Sequence, residues 1–444
     1  MTSKRTNTLQ RKGSNFINQK TKSISFDKYA KASGFKKRKA KKITGKSLLI
    51  AFFIMASQGK NSLELWAAQL SNITGKIVSK QAIWKRITPY LTKFLMLVLS
   101  DALRDQISSP HQSIKQGRLH RSDYNRILIQ DSTTIALPEW LKWCFPGNTS
   151  RGKRKSQLKI QVIYDLLSNI FVHFEITPFT ANDQSKSKDI LSIARKGDLV
   201  IRDLGYFSLE CFQQMSGDIS FVSRIRYGVK IFDIETGEEI NLLKHLKKYK
   251  SIDQWVLIGS EQKVKVRLVI LPLSKEQANE KRHRAKCDRD KRMNHSAEYF
   301  ELLAYCLFIT TECKTKFTAI HIAKLYGLRW RIENIFKCWK SQFHLQELIP
   351  KNCELTKDRV ESIIYMMLIY IVLFQVAIYN YIIVQCEKTN DCFISLTKLC
   401  QYITNNSMNF FTQTLRSLIP EIRYYCAYDK RNDRRNFIQK LKLG

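Results

Sequence analysis

Residues 125–138 read NRILIQDSTTIALP. Upstream of this stretch the apolar spacing is helical; here it becomes strand-like. Ile127, Leu128 and Ile129 form an unbroken apolar run, and Asp131 follows after one residue. The segments downstream keep the strand period. LKIQVIYD (158–165) alternates, with Leu158, Ile160, Val162 and Tyr164 on one face. IFVHFEI (170–176) alternates again after Ser168 and Asn169, and two such runs around a short polar break predict a hairpin. A helix is expected over 185–195. DLVIRDLGYF (198–207) then resembles the first pattern: Leu199, Val200 and Ile201 make a short buried strand, ended by Asp203 and followed by Gly205. Strands and a helix thus follow one another in this part of the chain.

Two aspartates thus stand at or near the ends of two hydrophobic strands. Either one alone could be an ordinary turn or cap residue. A carboxylate in that setting costs burial energy unless it is paired or holds a metal.

Residues 208–317 are a mixed block of largely β character, an insertion between Asp203 and a later acid, Glu333. Strands are expected over 219–226, 255–273 and 301–311, with a strongly charged helix or loop over 275–298. One helix is then expected over 318–343, with Thr318 as its N-cap. It contains YGLRWRIENIFKCWK (326–340), a lone glutamate among Arg329, Arg331, Lys337 and Lys340, flanked by Trp330 and Trp339. At about 100° per residue, Tyr326, Arg329, Glu333 and Lys340 share an arc of about 60°, with Lys337 on its edge. Leu328, Ile332, Ile335, Phe336, Trp339 and Phe343 occupy the neighbouring arc and would face a core. For an isolated helix the plain reading is a solvated strip with Arg329–Glu333 and Glu333–Lys337 ion pairs.

Charge argues for more than that. The 444 residues carry 75 Lys and Arg against 38 Asp and Glu, a net +37, and a polyanion is the natural partner of such an excess. Nucleic acid fits best, with an anionic membrane surface as the rival. Residues 1–46 hold 15 Lys and Arg against a single acid, Asp27, and are expected to be a mobile basic arm. Residues 47–120 are expected to be helical. Within them, 62–87 divides into an apolar helix, a turn at Asn72–Gly75, and a second helix capped by Ser79 that carries Lys80, Lys85 and Arg86. This reads as a helix-turn-helix that binds DNA, or else as a plain helical hairpin. Residues 387–444 are again helical and basic. Eleven cysteines without a CxxC pair argue against a disulfide framework or a zinc ribbon and suit a reducing cytoplasm. The apolar stretch 363–384 is long enough to span a bilayer. Gln375, Asn380 and tyrosines spread along its length favour a buried core helix and no membrane.

Asp131, Asp203 and Glu333 are hard oxygen donors from three separate elements. Such a set suits Mg²⁺, which takes a few carboxylates and keeps water and phosphate oxygens as its other ligands. Two such ions, or Mn²⁺ in their place, could activate a water or 3′-hydroxyl and stabilise the leaving oxygen of an in-line phosphoryl displacement. The cations around Glu333 would then neutralise the phosphates of a bound strand.

The spacing of Tyr326, Arg329, Glu333 and Lys340 resembles the Y-R-E-K motif of the insertion-sequence-4 family of bacterial DDE transposases. QDSTTIALP and DLGYF resemble the first and second aspartate motifs of that family, over roughly 120–345. The resemblance implies the α/β class, with an RNase H-like catalytic core in two parts, 121–207 and 318–386, split by a β-rich insertion at 208–317. It implies an α-helical N-terminal DNA-binding domain and a helical C-terminal region. Asp131, Asp203 and Glu333 would be the metal triad, and Tyr326, Arg329 and Lys340 would meet phosphates at the transposon end. The partners would be double-stranded DNA, as terminal inverted repeats and target, and a second copy in a homodimeric synaptic complex. Relatives often stack a flipped base on an aromatic side chain of the insertion. Tyr305 and Trp255 are candidates here, and Cys306 falls at the expected position. Leu204 stands where many relatives have arginine, and Ser132 where many have glycine. The rival functions are an RNase H-like nuclease without strand transfer and a non-catalytic DNA-binding protein derived from a transposase.

Overall fold

The apolar run Ile127–Ile129 opens a buried strand, β1 (Ile127–Leu137). Asp131 lies within this strand and not at its end, because pairing residues continue through Thr133–Leu137. The computed structural model describes residues 21, 23–38, 43–108, 124–150, 152–287, 296–350, 356–387, 394–406 and 415–428. The chain forms two compact units. One comprises Met1–Arg118, Ser132–Thr180 and Arg331–Gly444; the other comprises Leu119–Asp131 and Ala181–Trp330.

The first unit contains the end of β1 with β2 (Pro146–Ser150), β3 (Lys153–Asp165) and β4 (Ile170–Pro178). The expected hairpin is present: β3 and β4 pair antiparallel from Leu158↔Pro178 to Asp165↔Ile170. Asn169 supplies the left-handed turn conformation (φ 51°), which asparagine tolerates better than most residues. Trp339 is fully buried among Phe171, Phe174 and Phe336, with ring centroids 5.3–6.0 Å apart.

The long apolar segment of this unit runs as a helix (Lys357–Tyr370), a π-helical stretch (Ile371–Val376) and a second helix (Ala377–Glu387). Its most apolar window is 93% buried, as expected of a core helix. Tyr370 packs on Phe53 of the Gly45–Ala56 helix, and Ser362 bonds Thr92 of the Pro89–Ser108 helix at 3.3 Å. The π-helical stretch alters the i→i+4 ladder, and Gln106 Nε2 donates to the Val372 carbonyl there at 3.1 Å. Asn380, polar in an apolar run, donates to the Ser168 carbonyl at the hairpin turn.

The basic arm expected over 1–46 is corrected in part. Residues Phe26–Ala32 form a helix that buries Phe26 and Ala30, and Phe35 stacks on Phe94 at 5.3 Å. A few apolar side chains with a matching surface outweigh the surrounding charge. Residues 1–20 lie outside the described residues, as do 429–444 with the basic cluster 431–435. The C-terminal region is helical where described, over Leu396–Asn405 and Leu415–Cys426.

The second unit holds the start of β1 with β5 (Leu199–Arg202), β6 (Ser220–Arg224), β7 (Ile231–Asp233), β8 (Ile252–Ile258), β9 (Val264–Pro272) and β10 (Tyr305–Thr310). Their order is β1-β5-β6-β10-β9-β8-β7. The first three are parallel and the other pairs antiparallel. β6, expected to belong to the insertion, pairs parallel with β5, and the Leu209–Met215 helix lies in the connection between them. The sequence between β5 and β6 has the helix-then-strand form of a parallel crossover, which a boundary at 207 cuts through. The expected helix over 185–195 is a 3₁₀ segment, Asp183–Ser192, capped by Asn182.

The single helix expected over 318–343 is two helices, Ala319–Gly327 and Trp330–Ser341. Thr318 caps the first through the His321 N–H, as expected. The break comes where Leu328 and Arg329 donate three residues back, to Leu325 and Tyr326, and the turn tightens. The angles drawn from Tyr326 to Lys340 therefore do not describe one continuous surface.

Candidate active site

The site begins at the last rungs of the ladder between β1 and β5. Ile127↔Leu199, Leu128↔Val200, Ile129↔Ile201 and Gln130↔Arg202 pair in register. The next residue on each segment is an aspartate: Asp131 continues β1 and Asp203 follows the end of β5, at the same level of the two parallel strands. Strand alternation turns both carboxylates to the face opposite Gln130 and Arg202.

Arg329 joins them. Its Nη1 lies 3.3 Å from Asp131 Oδ2 and its Nε 3.8 Å from Asp203 Oδ1. The Arg329 side chain is 11% exposed, Asp131 16% and Asp203 42%, so the Asp131 contact is the more sheltered. The tight turn after Gly327 brings this arginine in: the Tyr326 carbonyl accepts from the Arg329 N–H, which sets the residue just past the helix end.

Tyr326 completes the cluster. Its hydroxyl donates to Asp203 Oδ1 at 3.3 Å, and its ring packs on Phe308 and under the Arg224 guanidinium at 5.1 Å. Burial, with a further contribution from the Asp203 charge, pushes the phenol up to about 12, against the opposing pull of Arg224 and Arg329. The phenol is thus a neutral donor at any ordinary pH. Arg224, at the end of β6, was not among the residues singled out by sequence. Its only signal there is an arginine closing a short apolar strand.

Glu333, Lys337 and Lys340 belong to the other unit. Glu333 is half-buried in the first turn of the Trp330–Ser341 helix, and Lys337 is exposed. Lys340 is exposed over much of its length, but neighbouring atoms partly desolvate its ammonium and lower its pKa. Arg331 turns inward and donates to the Tyr379 hydroxyl, so it anchors the helix. Trp339 is core and Trp330 is 61% exposed.

The 62–87 region has the expected outline. Ser62 and Ser79 cap its two helices, and Gly75 ends the first in the left-handed conformation (φ 65°). The second helix is five residues long, Lys80–Trp84, shorter than the expected run through Ile87. Lys80 pairs with Glu64 at 2.5 Å, Arg86 donates to the Ala82 carbonyl, and Lys85 is exposed. In the insertion, Trp255 and Tyr305 are both partly exposed, and Lys265 lies over the Trp255 ring at 5.8 Å.

Two carboxylates converging on one cation have the hard-oxygen chemistry that a divalent ion takes. In this structure the guanidinium of Arg329 provides the positive charge. Among the described residues no three His, Cys, Asp or Glu side chains are grouped to hold a metal ion.

Several known proteins are similar to this chain. The transposase for insertion sequence element IS231B of Bacillus thuringiensis subsp. berliner is 29% identical over 368 residues, covering 78% of this chain and 75% of that protein. The transposase for insertion sequence element IS1151 of Clostridium perfringens is 25% identical over 448 residues, covering 94% and 93%. Among solved structures, a piggyBac transposase synaptic complex with hairpin DNA covers 96% of this chain and 88% of its own at 12% identity and a TM-score of 0.44, too distant a likeness to build on. The transposase DDE domain family matches residues 125–373, a span that takes in both bridged aspartates, Tyr326, Arg329 and the Trp330–Ser341 helix, and on that match the chain belongs to this family.

Proposed function

We propose that this transposase binds the terminal inverted repeats of its own insertion sequence and cuts and joins DNA at Asp131, Asp203 and Glu333. The observation that carries this reading is the pair of aspartates at one level of a parallel ladder, both held by the arginine of the Y-R-E-K stretch. The order of the three parallel strands supports an RNase H-like core, with a β-rich insertion that begins after β6. The insertion-sequence-4 type is supported by the four-point spacing of Tyr326, Arg329, Glu333 and Lys340.

Magnesium held by the three acids, or manganese in its place, would supply Lewis acidity at a phosphate oxygen and an activated water or 3′-hydroxyl. The chain's own groups do the rest. Asp131 and Asp203 present hard oxygens beside strands whose register is fixed by four residue pairs. Tyr326 holds its proton and orients Asp203. Arg329, Lys337 and Lys340 offer charge to phosphates, as do Lys80, Lys85 and Arg86 in the N-terminal helical region. Two copies would pair the two ends of the element in a synaptic complex in the bacterial cytoplasm.

The test is cleavage of a plasmid that carries this gene with its native flanks. Wild type should cut at the flanks in Mg²⁺ and not in EDTA. Glu333→Gln, Asp131→Asn and Asp203→Asn should bind the same DNA and leave it intact. Equal cutting by wild type and Glu333→Gln would remove Glu333 from the site.

A further inference from the structure

Arg202 is the last residue of β5 and is fully buried, next to an aspartate of the proposed site. A guanidinium at that depth is costly unless its environment answers its charge. Among the described residues Arg202 makes no ion pair, and its Nε and Nη2 have no hydrogen-bond partner. Its Nη1 does all the bonding: to the Ser187 carbonyl and hydroxyl at 3.0 Å each, and to Gln130 Oε1 at 3.4 Å. The Phe212 ring lies against the guanidinium at 4.8 Å.

These contacts tie together three pieces of chain. Gln130 is the partner of Arg202 across the last rung, and its Nε2 donates to the Lys186 carbonyl at 2.8 Å. Ser187 in turn donates to the Tyr206 carbonyl at 2.9 Å, just beyond Asp203. The 3₁₀ segment Asp183–Ser192 is thereby fastened to both strands at the rung from which Asp131 and Asp203 emerge. A hydrophobic side chain at 202 would fill the space at less electrostatic cost and could fasten nothing.

We infer that Arg202 is a positioning residue: from the far face of the ladder, with Gln130 and Ser187, it sets the spacing of the Asp131 and Asp203 carboxylates. The inference rests on the reading of those aspartates as metal ligands. Residues that hold metal ligands in place typically change affinity by about 10- to 100-fold when removed.

The experiment measures Mn²⁺ binding to the full-length protein by electron paramagnetic resonance, alongside end-DNA binding in EDTA and the Mn²⁺ dependence of cleavage. Arg202→Met should weaken Mn²⁺ binding by about tenfold and raise the half-saturating Mn²⁺ for cleavage to match, with DNA affinity unchanged. Ser187→Ala, which removes one hydroxyl and leaves the carbonyl, should do the same by about threefold, and it decides the matter if Arg202→Met does not fold. The double variant Gln130→Leu, Arg202→Met should be no worse than Arg202→Met, because both act through one rung. Unchanged Mn²⁺ binding in a folded Arg202→Met, or in Ser187→Ala, overturns the inference. Asp203→Asn separates the two levels: if it binds Mn²⁺ as wild type does, the metal site itself is misassigned.

Discussion

Arg329 Nη1 stands 3.3 Å from Asp131 Oδ2, in a contact sheltered from solvent on both sides. The same guanidinium reaches Asp203 at 3.8 Å, so one cation serves two acids. Arg329→Met should therefore destabilise the protein in EDTA by about 2 kcal/mol, the cost of losing charge-assisted bonds at a partly buried site. Added Mg²⁺ should narrow the gap between variant and wild type, because it can take over the neutralising role. Urea titrations of both proteins with and without Mg²⁺ check this. Equal stability in EDTA would mean that the guanidinium is not needed there.

Tyr326 should make stability fall at high pH. Its phenol holds its proton up to about 12 in the folded chain, against about 10 when unfolded. The stabilisation is complete below about pH 10 and is lost as pH rises towards 12, since in that window the folded state keeps the proton and the unfolded state does not. Tyr326→Phe removes this contribution. Between pH 10 and 12 its unfolding free energy should fall less steeply than that of wild type. Parallel curves would place the tyrosine in a more open setting.

The two tryptophans that flank Glu333 should behave oppositely. Trp339 is fully buried among three phenylalanines, and Trp339→Ala should cost about 3–5 kcal/mol. Trp330 is 61% exposed, and Trp330→Ala should change stability by less than about 0.5 kcal/mol. Chemical unfolding of the two variants side by side decides it. A large loss in Trp330→Ala would contradict the exposed placement.

Lys337 and Lys340 should report on DNA phosphates. If each neutralises one phosphate, alanine at either position lowers the slope of log affinity against log salt by about 1, whatever the sequence bound. Titrations of end DNA and unrelated DNA between low and moderate salt measure this. An unchanged slope in both variants would leave these lysines as solvated helix residues.

Much was legible in the sequence because it is written in local patterns. The apolar runs 127–129 and 199–201 are strands, 158–176 is a hairpin, and Thr318 and Ser79 are caps, since period and capping depend on neighbours along the chain. The long apolar segment 363–384 also reads correctly as core, through the polar residues that interrupt it.

Other features depend on what a segment meets in space. The helix-then-strand form before β6 is compatible with a parallel crossover, but which strand β6 pairs with is set by the sheet. The break at Leu328–Arg329 follows Gly327, a glycine inside a helical period that leaves open whether the helix stops or runs on, and tight backbone bonds decide that it stops. Arg202 looks like any arginine in sequence; only the fold shows it fully buried behind two aspartates. The sequence by itself determined the mixture of helices and strands and the excess of positive charge that calls for a polyanionic partner, because composition and spacing carry charge and period. The tertiary structure decided which acids stand side by side and which cation lies between them, because register and burial arise only when distant segments pack.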